Sequence, residues 1–150
     1  GHKALFLSGH NHQSKPYTYG NDVTEHNIAA ICGTWWDAYH CADGSPRGYK
    51  IYTKEAGKLT WYYKAVGHDR SYQMRAYSPV RTGDGYVKVN IWNHSKGFWS
   101  QPEWWENGKK VATFEQHREE DLDAIEINKS VAHLAAKADP SICWTSRSLA

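Results

Sequence analysis

The chain has 150 residues and carries 18 Lys and Arg against 16 Asp and Glu, a formal net charge of +2. That near-balance excludes a nucleic-acid binder driven by a large positive field, and it excludes a highly charged disordered segment. Hydrophobic residues make up 40%, enough for a core, and no run approaches the ~20 apolar residues of a membrane span. The first residues lack the basic region, apolar stretch and small-residue cleavage site of a secretion signal. The unusual feature is 8 Trp, 10 Tyr and 3 Phe. Flat, partly polar side chains at that density suit a β-rich domain and argue against a helical bundle.

Lys3 to Ser8 is a short apolar run that stops at Gly9 and reads as a buried strand. Residues 13–26 hold Ser14, Pro16, Gly20, Asn21 and Asp22 and read as a loop. Asn27 to Gly33 contains Ile28, Ala29, Ala30, Ile31 and Cys32, a second short apolar strand. Trp35-Trp36 follows, and Asp43 to Gly48 consists almost wholly of turn residues. From Tyr49 the pattern becomes antiparallel. Tyr49–Thr53 and Leu59–Lys64 flank a turn holding Gly57 and predict a hairpin. Gly85 to Asn93 alternates, with Val87, Val89 and Ile91 on one face, and predicts a strand with one face buried.

Trp104-Trp105-Glu106, Asn107-Gly108 and Lys109-Lys110-Val111 form the strongest hairpin signal, because Asn and Gly tolerate the positive φ of a type I′ turn. Val111–Phe114 and Ala124–Ile127 predict two more strands, and Ser130 to Lys137 a short helix stopped before Pro140. Roughly seven short strands after Tyr49 give a mainly β fold, an antiparallel β-sandwich of the immunoglobulin or fibronectin kind.

Gly9-His10-Asn11-His12 is the one motif with chemistry in it. It follows an apolar strand directly, so both imidazoles sit at a strand end, where neutral imidazole can ligate Zn, Fe or Mn. A bare His-x-His reads first as two exposed loop histidines. His26, His40, His68, His94, His117 and His133 show no ligand spacing and read mostly as surface residues. Arg118 to Asp123 is an acidic run without the spaced ligands of a Ca²⁺ loop, and reads as a solvated connection. Cys32, Cys41 and Cys143 are odd in number and form no C-x-x-C pair; one disulfide or three free thiols fit equally. Asn93-His94-Ser95 and Asn128-Lys129-Ser130 match the glycosylation pattern, which matters only in a eukaryotic secretory setting.

A strand followed by Gly-His-x-His resembles the last metal-binding motif of the calcineurin-like metallophosphoesterases. The series after it is similar to bacterial members with an extra C-terminal domain: Trp35-Trp36, Asp43 to Tyr49, Tyr63-Lys64 with Gly67, Gln73 to Tyr77, and Val89 to Asn93. The resemblance covers roughly residues 4–127. It implies that residues 1–27 are the end of an α/β catalytic domain and that 28–150 are a C-terminal β-sandwich. It implies two divalent metal ions and a phosphoester substrate for the parent enzyme, with His10 and His12 each giving at most one ligand to a metal. The family's earlier ligands, an Asp-x-His, a Gly-Asp-x-x-Asp, a Gly-Asn-His and a lone His, do not occur before Gly9. No catalytic set is therefore complete here, no metal is expected to bind tightly, and the isolated chain is expected to be inactive.

The same resemblance places Trp35 and Trp36 at the catalytic mouth, with Arg47 in the adjacent turn able to pair with a substrate phosphate. Against these stand a core-plus-surface Trp pair and an exposed turn Arg. The partner implied is the catalytic domain, with no nucleic acid and no membrane span, and a periplasmic or cell-envelope location. The alternative is a carbohydrate- or protein-binding module using Trp99, Trp104 and Trp105 as a flat face. A mononuclear site using His10, His12 and a Cys ranks last, because no Cys has ligand spacing.

Overall fold

The computed structural model describes residues 2–34, 39–94, 100–130 and 141–147, the last of these by its backbone. Three strands open the chain: β1 (Ala4–Ser8), β2 (Lys15–Tyr19) and β3 (Val23–Asn27). They form one sheet in the order β1-β3-β2, with β3 parallel to β1 and antiparallel to β2. The stretch expected as a loop over 13–26 is thus mostly a hairpin. Gly20, Asn21 and Asp22 form its bend, where Gly20 takes φ 61°, while Pro16 lies within β2 opposite His26. Its polar residues pair across strands: Glu25 accepts the Tyr19 hydroxyl at 2.8 Å and the Ser8 hydroxyl at 2.5 Å.

The apolar run Ile28–Cys32 is not a strand. Ile28 N–H still bonds Ser8 O at 2.9 Å, but then the chain turns, with Gly33 N–H on Ala30 O at 3.1 Å and Gly33 at φ 74°. Ala29 is buried while Ile31 is exposed, so the run is split between core and surface rather than laid along a sheet.

β4 (Gly48–Glu55) and β5 (Lys58–Ala65) form a hairpin closed by Ala56-Gly57, at φ 46° and 80°. β8 (Glu103–Glu106) and β9 (Lys109–Thr113) form a second, closed by Asn107-Gly108 at φ 48° and 75°. Positive φ at both central residues is the type I′ signature, whose twist matches that of the strands. A four-stranded antiparallel sheet runs in the order β10-β11-β7-β6, built from β6 (Met74–Tyr77), β7 (Tyr86–Ile91), β10 (Glu115–Glu119) and β11 (Ser141–Arg147). The protein is mainly β.

Among the described residues two helices interrupt the strands, α1 (Pro79–Thr82) and α2 (Leu122–Ser130). The strand expected over Ala124–Ile127 lies inside α2. The Asp121 carboxylate decides this: its Oδ1 accepts the Ala124 N–H at 3.1 Å, an N-cap bond that starts a helix. The helix expected over Ser130–Lys137 falls largely outside the described residues.

β7 is covered on both faces rather than one. Val89 and Ile91 pack with Phe114, Val87 and Trp104. On the opposite face Lys88 is buried and pairs with Asp84 and Glu119, and Asn90 donates to Asp121 Oδ2 at 2.8 Å. A second core joins the loops to the first hairpin through Ala29, Cys41, Tyr63, Ala65 and Trp92, with Tyr72 against them.

Asp121 ties these parts together. It is 2% exposed, and it accepts the Tyr77 hydroxyl at 2.8 Å as well as Asn90 and the α2 amide. The acidic run read as a solvated connection therefore holds a buried hub. A β-carbon at Gly44 would lie 2.4 Å from Asp121 Cβ, so only glycine lets the 41–47 turn sit against it. Gly48 makes a similar close approach, where a β-carbon would meet Lys64 O at 2.6 Å.

Candidate functional site

β1 ends at Ser8 and the chain turns at once through Gly9-His10-Asn11-His12. His10 and His12 take φ 81° and 51°, the left-handed region. Each costs a non-glycine residue about 1 kcal/mol or more, so the surroundings must hold them there.

Those surroundings come from both sides of the motif. On the sheet side, Asn27 at the end of β3 is 3% exposed and donates to Gly9 O at 2.8 Å and Ser8 Oγ at 3.0 Å. On the other side, Ala42 N–H bonds His12 O at 2.9 Å. The Asp43 carboxylate accepts the Ser14 N–H at 2.9 Å, and it also accepts the Ser45 hydroxyl at 2.7 Å. Burial pushes the Asp43 carboxyl up from its ordinary range, and these donors pull it back.

His12 is half-buried, and its Nδ1 lies 2.7 Å from Gly33 O and 3.0 Å from Thr34 O. A carbonyl only accepts, so Nδ1 carries the proton and the lone pair is on Nε2. Metal-ligating histidines are typically oriented in this way, with one ring nitrogen donating to a carbonyl. Cys32 Sγ stands 3.9 Å from the same Nδ1. His10 is exposed at the tip of the turn. Donor type, tautomer and strand-end position all fit an imidazole metal ligand. Among the described residues, no group of three or more His, Cys, Asp or Glu is placed to hold a metal ion.

Arg47 sits in the turn that clasps the motif. Its guanidinium stacks on the Tyr39 ring at 5.0 Å, and Tyr39 is 70% exposed. Trp35 and Trp36 lie outside the described residues, as does Trp99. Trp104 packs into the sheet core, while Trp105 is exposed with its indole N–H on Glu103 at 2.9 Å. The flat aromatic face expected from Trp104 and Trp105 is therefore divided between inside and outside.

Two histidines read as surface residues are buried: His26 is 1% exposed and His40 3%. Burial and the Lys50 charge push His26 down to about 4; its Nδ1 lies 2.9 Å from the Tyr52 hydroxyl, and Trp61 meets its ring edge-on at 4.8 Å. Lys50 itself is pushed down to about 8 by burial, against the pull of Asp43. Cys32 and Cys41 are free thiols, and burial pushes Cys41 up to about 12. Sequence reasoning does not single out Asn27 or Asp43 as site residues. The Asp43-Gly44-Ser45 turn chemistry is the one available signal for the second; nothing in the sequence marks the first.

A family model described as the C-terminal of calcineurin-like phosphoesterase matches residues 25–147, which is 123 of 150 residues. The chain belongs to that family. Nothing among curated proteins or solved structures matches it.

Proposed function

We propose that this chain is the accessory C-terminal domain of a phosphohydrolase, joined to the last metal-binding motif of its catalytic domain. The division near residue 27 is part of this reading, with β1–β3 belonging to the catalytic side. The observation that carries it is the prepared state of His12: left-handed backbone, Nδ1 donated to a carbonyl, and the lone pair on Nε2. His10 and His12 would each give a ligand to one of two divalent ions. Such ions, when bound, polarise a phosphoryl oxygen and stabilise the leaving oxygen. The chain's own residues orient the imidazoles and carry the walls around them.

One imidazole per metal is too few to hold an ion at ordinary concentrations. The remaining ligands would come from the catalytic domain, the partner that a C-terminal domain implies. β1 supports this reading. It is apolar on both faces, with Phe6 58% and Leu7 54% exposed, whereas strands of parallel sheets are normally covered on both faces. A phosphoester substrate would meet Arg47, which leads out of the turn clasping the motif. Trp35 and Trp36 would border the same mouth, as the family resemblance implies.

The test is metal analysis after dialysis against Zn²⁺ or Mn²⁺. The isolated chain is expected to retain well under one ion per molecule. Stoichiometric metal that survives dialysis would overturn the reading in favour of a self-sufficient site.

A further inference from the structure

We propose that Asp43 and Asn27 are positioning residues that clamp the Gly9–Ser14 turn and thereby lock His12 with its proton on Nδ1. This rests on the reading of His12 as a metal ligand, and it adds the device that prepares the ligand.

An imidazole at the surface exchanges between two tautomers, and the hydrogen bond made by one nitrogen selects which form is held. His12 is selected by Gly33 O and Thr34 O, which lie beyond the sheet in the 28–34 loop. The turn that carries the ring is held at both ends. Asn27 grips the start through Gly9 O and Ser8 Oγ. Asp43 grips the finish through Ser14 N–H, and its neighbour Ala42 fastens His12 O between them.

Both side chains are placed at a cost. A buried carboxylate loses hydration, and the bonds to Ser14 and Ser45 offset that loss. The Asn27 Oδ1 is buried, and no donor among the described residues reaches it. A buried polar atom left so calls for a reason other than stability. The Nδ2 bond to Gly9 O supplies it, because it fixes the carbonyl that precedes left-handed His10. The clamp also spans the proposed division near residue 27. Asn27 reaches the turn from the sheet, and Asp43 reaches it from the loops of the C-terminal domain.

The experiment is long-range ¹H–¹⁵N correlation of the imidazoles in the ¹⁵N-labelled chain, without metal, at neutral pH. In the wild type, His12 is expected almost wholly as the Nδ1–H form. Asp43→Asn removes one acceptor, and Asn27→Ala removes both donors. Either change is expected to bring at least about half of His12 into the Nε2–H form, while the His26 signals stay put. Asn27→Ala serves where Asp43→Asn does not fold.

A wild-type ring that is already mixed would overturn the proposal. So would an unchanged Nδ1–H form in the folded variants. Loss of folding in both variants would also overturn it, because the residues would then hold the fold and not the turn. The metal-ligand reading fails by a separate route: a His12→Ala change that leaves the metal content of the longer, catalytic polypeptide untouched.

Discussion

His26 illustrates how one buried side chain sets a pH dependence. Its ordinary value of 6.5 falls to about 4 in the fold, so it is neutral there while the unfolded chain binds a proton. Between those values the unfolded state holds more protons, and stability rises with pH. His26 should therefore destabilise the protein as pH falls from about 6.5 towards 4, by up to about 3 kcal/mol. Melting curves across that window should show the slope, and His26→Gln should flatten it. Gly44 is a second single-residue test. Its φ is 74°, and a methyl group there would meet Asp121 Cβ at 2.4 Å, so Gly44→Ala should cost at least about 2 kcal/mol in denaturant unfolding. Little of this is legible in the sequence. Burial of His26 depends on Tyr52 and Trp61 arriving from another hairpin, and the need for Gly44 depends on Asp121, far along the chain. His10 and His12, by contrast, stand out at once, because their spacing is local.

The hairpins are the most legible elements, for the same reason. Asn107-Gly108 announces its turn in two residues, and the structure gives both the positive φ required. Ala56-Gly57 closes β4–β5 with the same geometry but places alanine where asparagine is favoured. Ala56→Asn should stabilise the protein by about 0.5–1 kcal/mol, read from the denaturant midpoint. α2 is hidden because Ala124-Ile125-Glu126-Ile127 alternates like a strand, and the deciding bond comes from Asp121 outside that window. Asp121→Ala should strand the Tyr77 hydroxyl, Asn90 and the α2 amide together, at about 3 kcal/mol or more. The run 13–26 misleads in the opposite sense. Only Gly20, Asn21 and Asp22 belong to the bend, Pro16 sits inside a strand, and the strands are stabilised by a Ser8–Glu25–Tyr19 bridge that no periodicity reveals.

At the scale of the molecule, a β-rich chain is legible from its aromatics and alternation. Their use is not: Tyr63 and Trp92 fill a core under the loops, and Trp104 fills another against β7. The candidate site arises where three non-adjacent loops converge on one strand end, which sequence order does not display. On the proposed reading, the exposed apolar β1 and the clamp from Asp43 belong to a motif that another part of the polypeptide completes. The direct test is hydrolysis of p-nitrophenyl phosphate with Mn²⁺, run side by side on this chain and on the polypeptide that includes the catalytic domain. This chain alone should show no turnover, and the longer polypeptide should turn over and lose about 100-fold or more in His10→Ala or His12→Ala. Turnover by these 150 residues alone, or undiminished turnover in both histidine variants, would contradict the account.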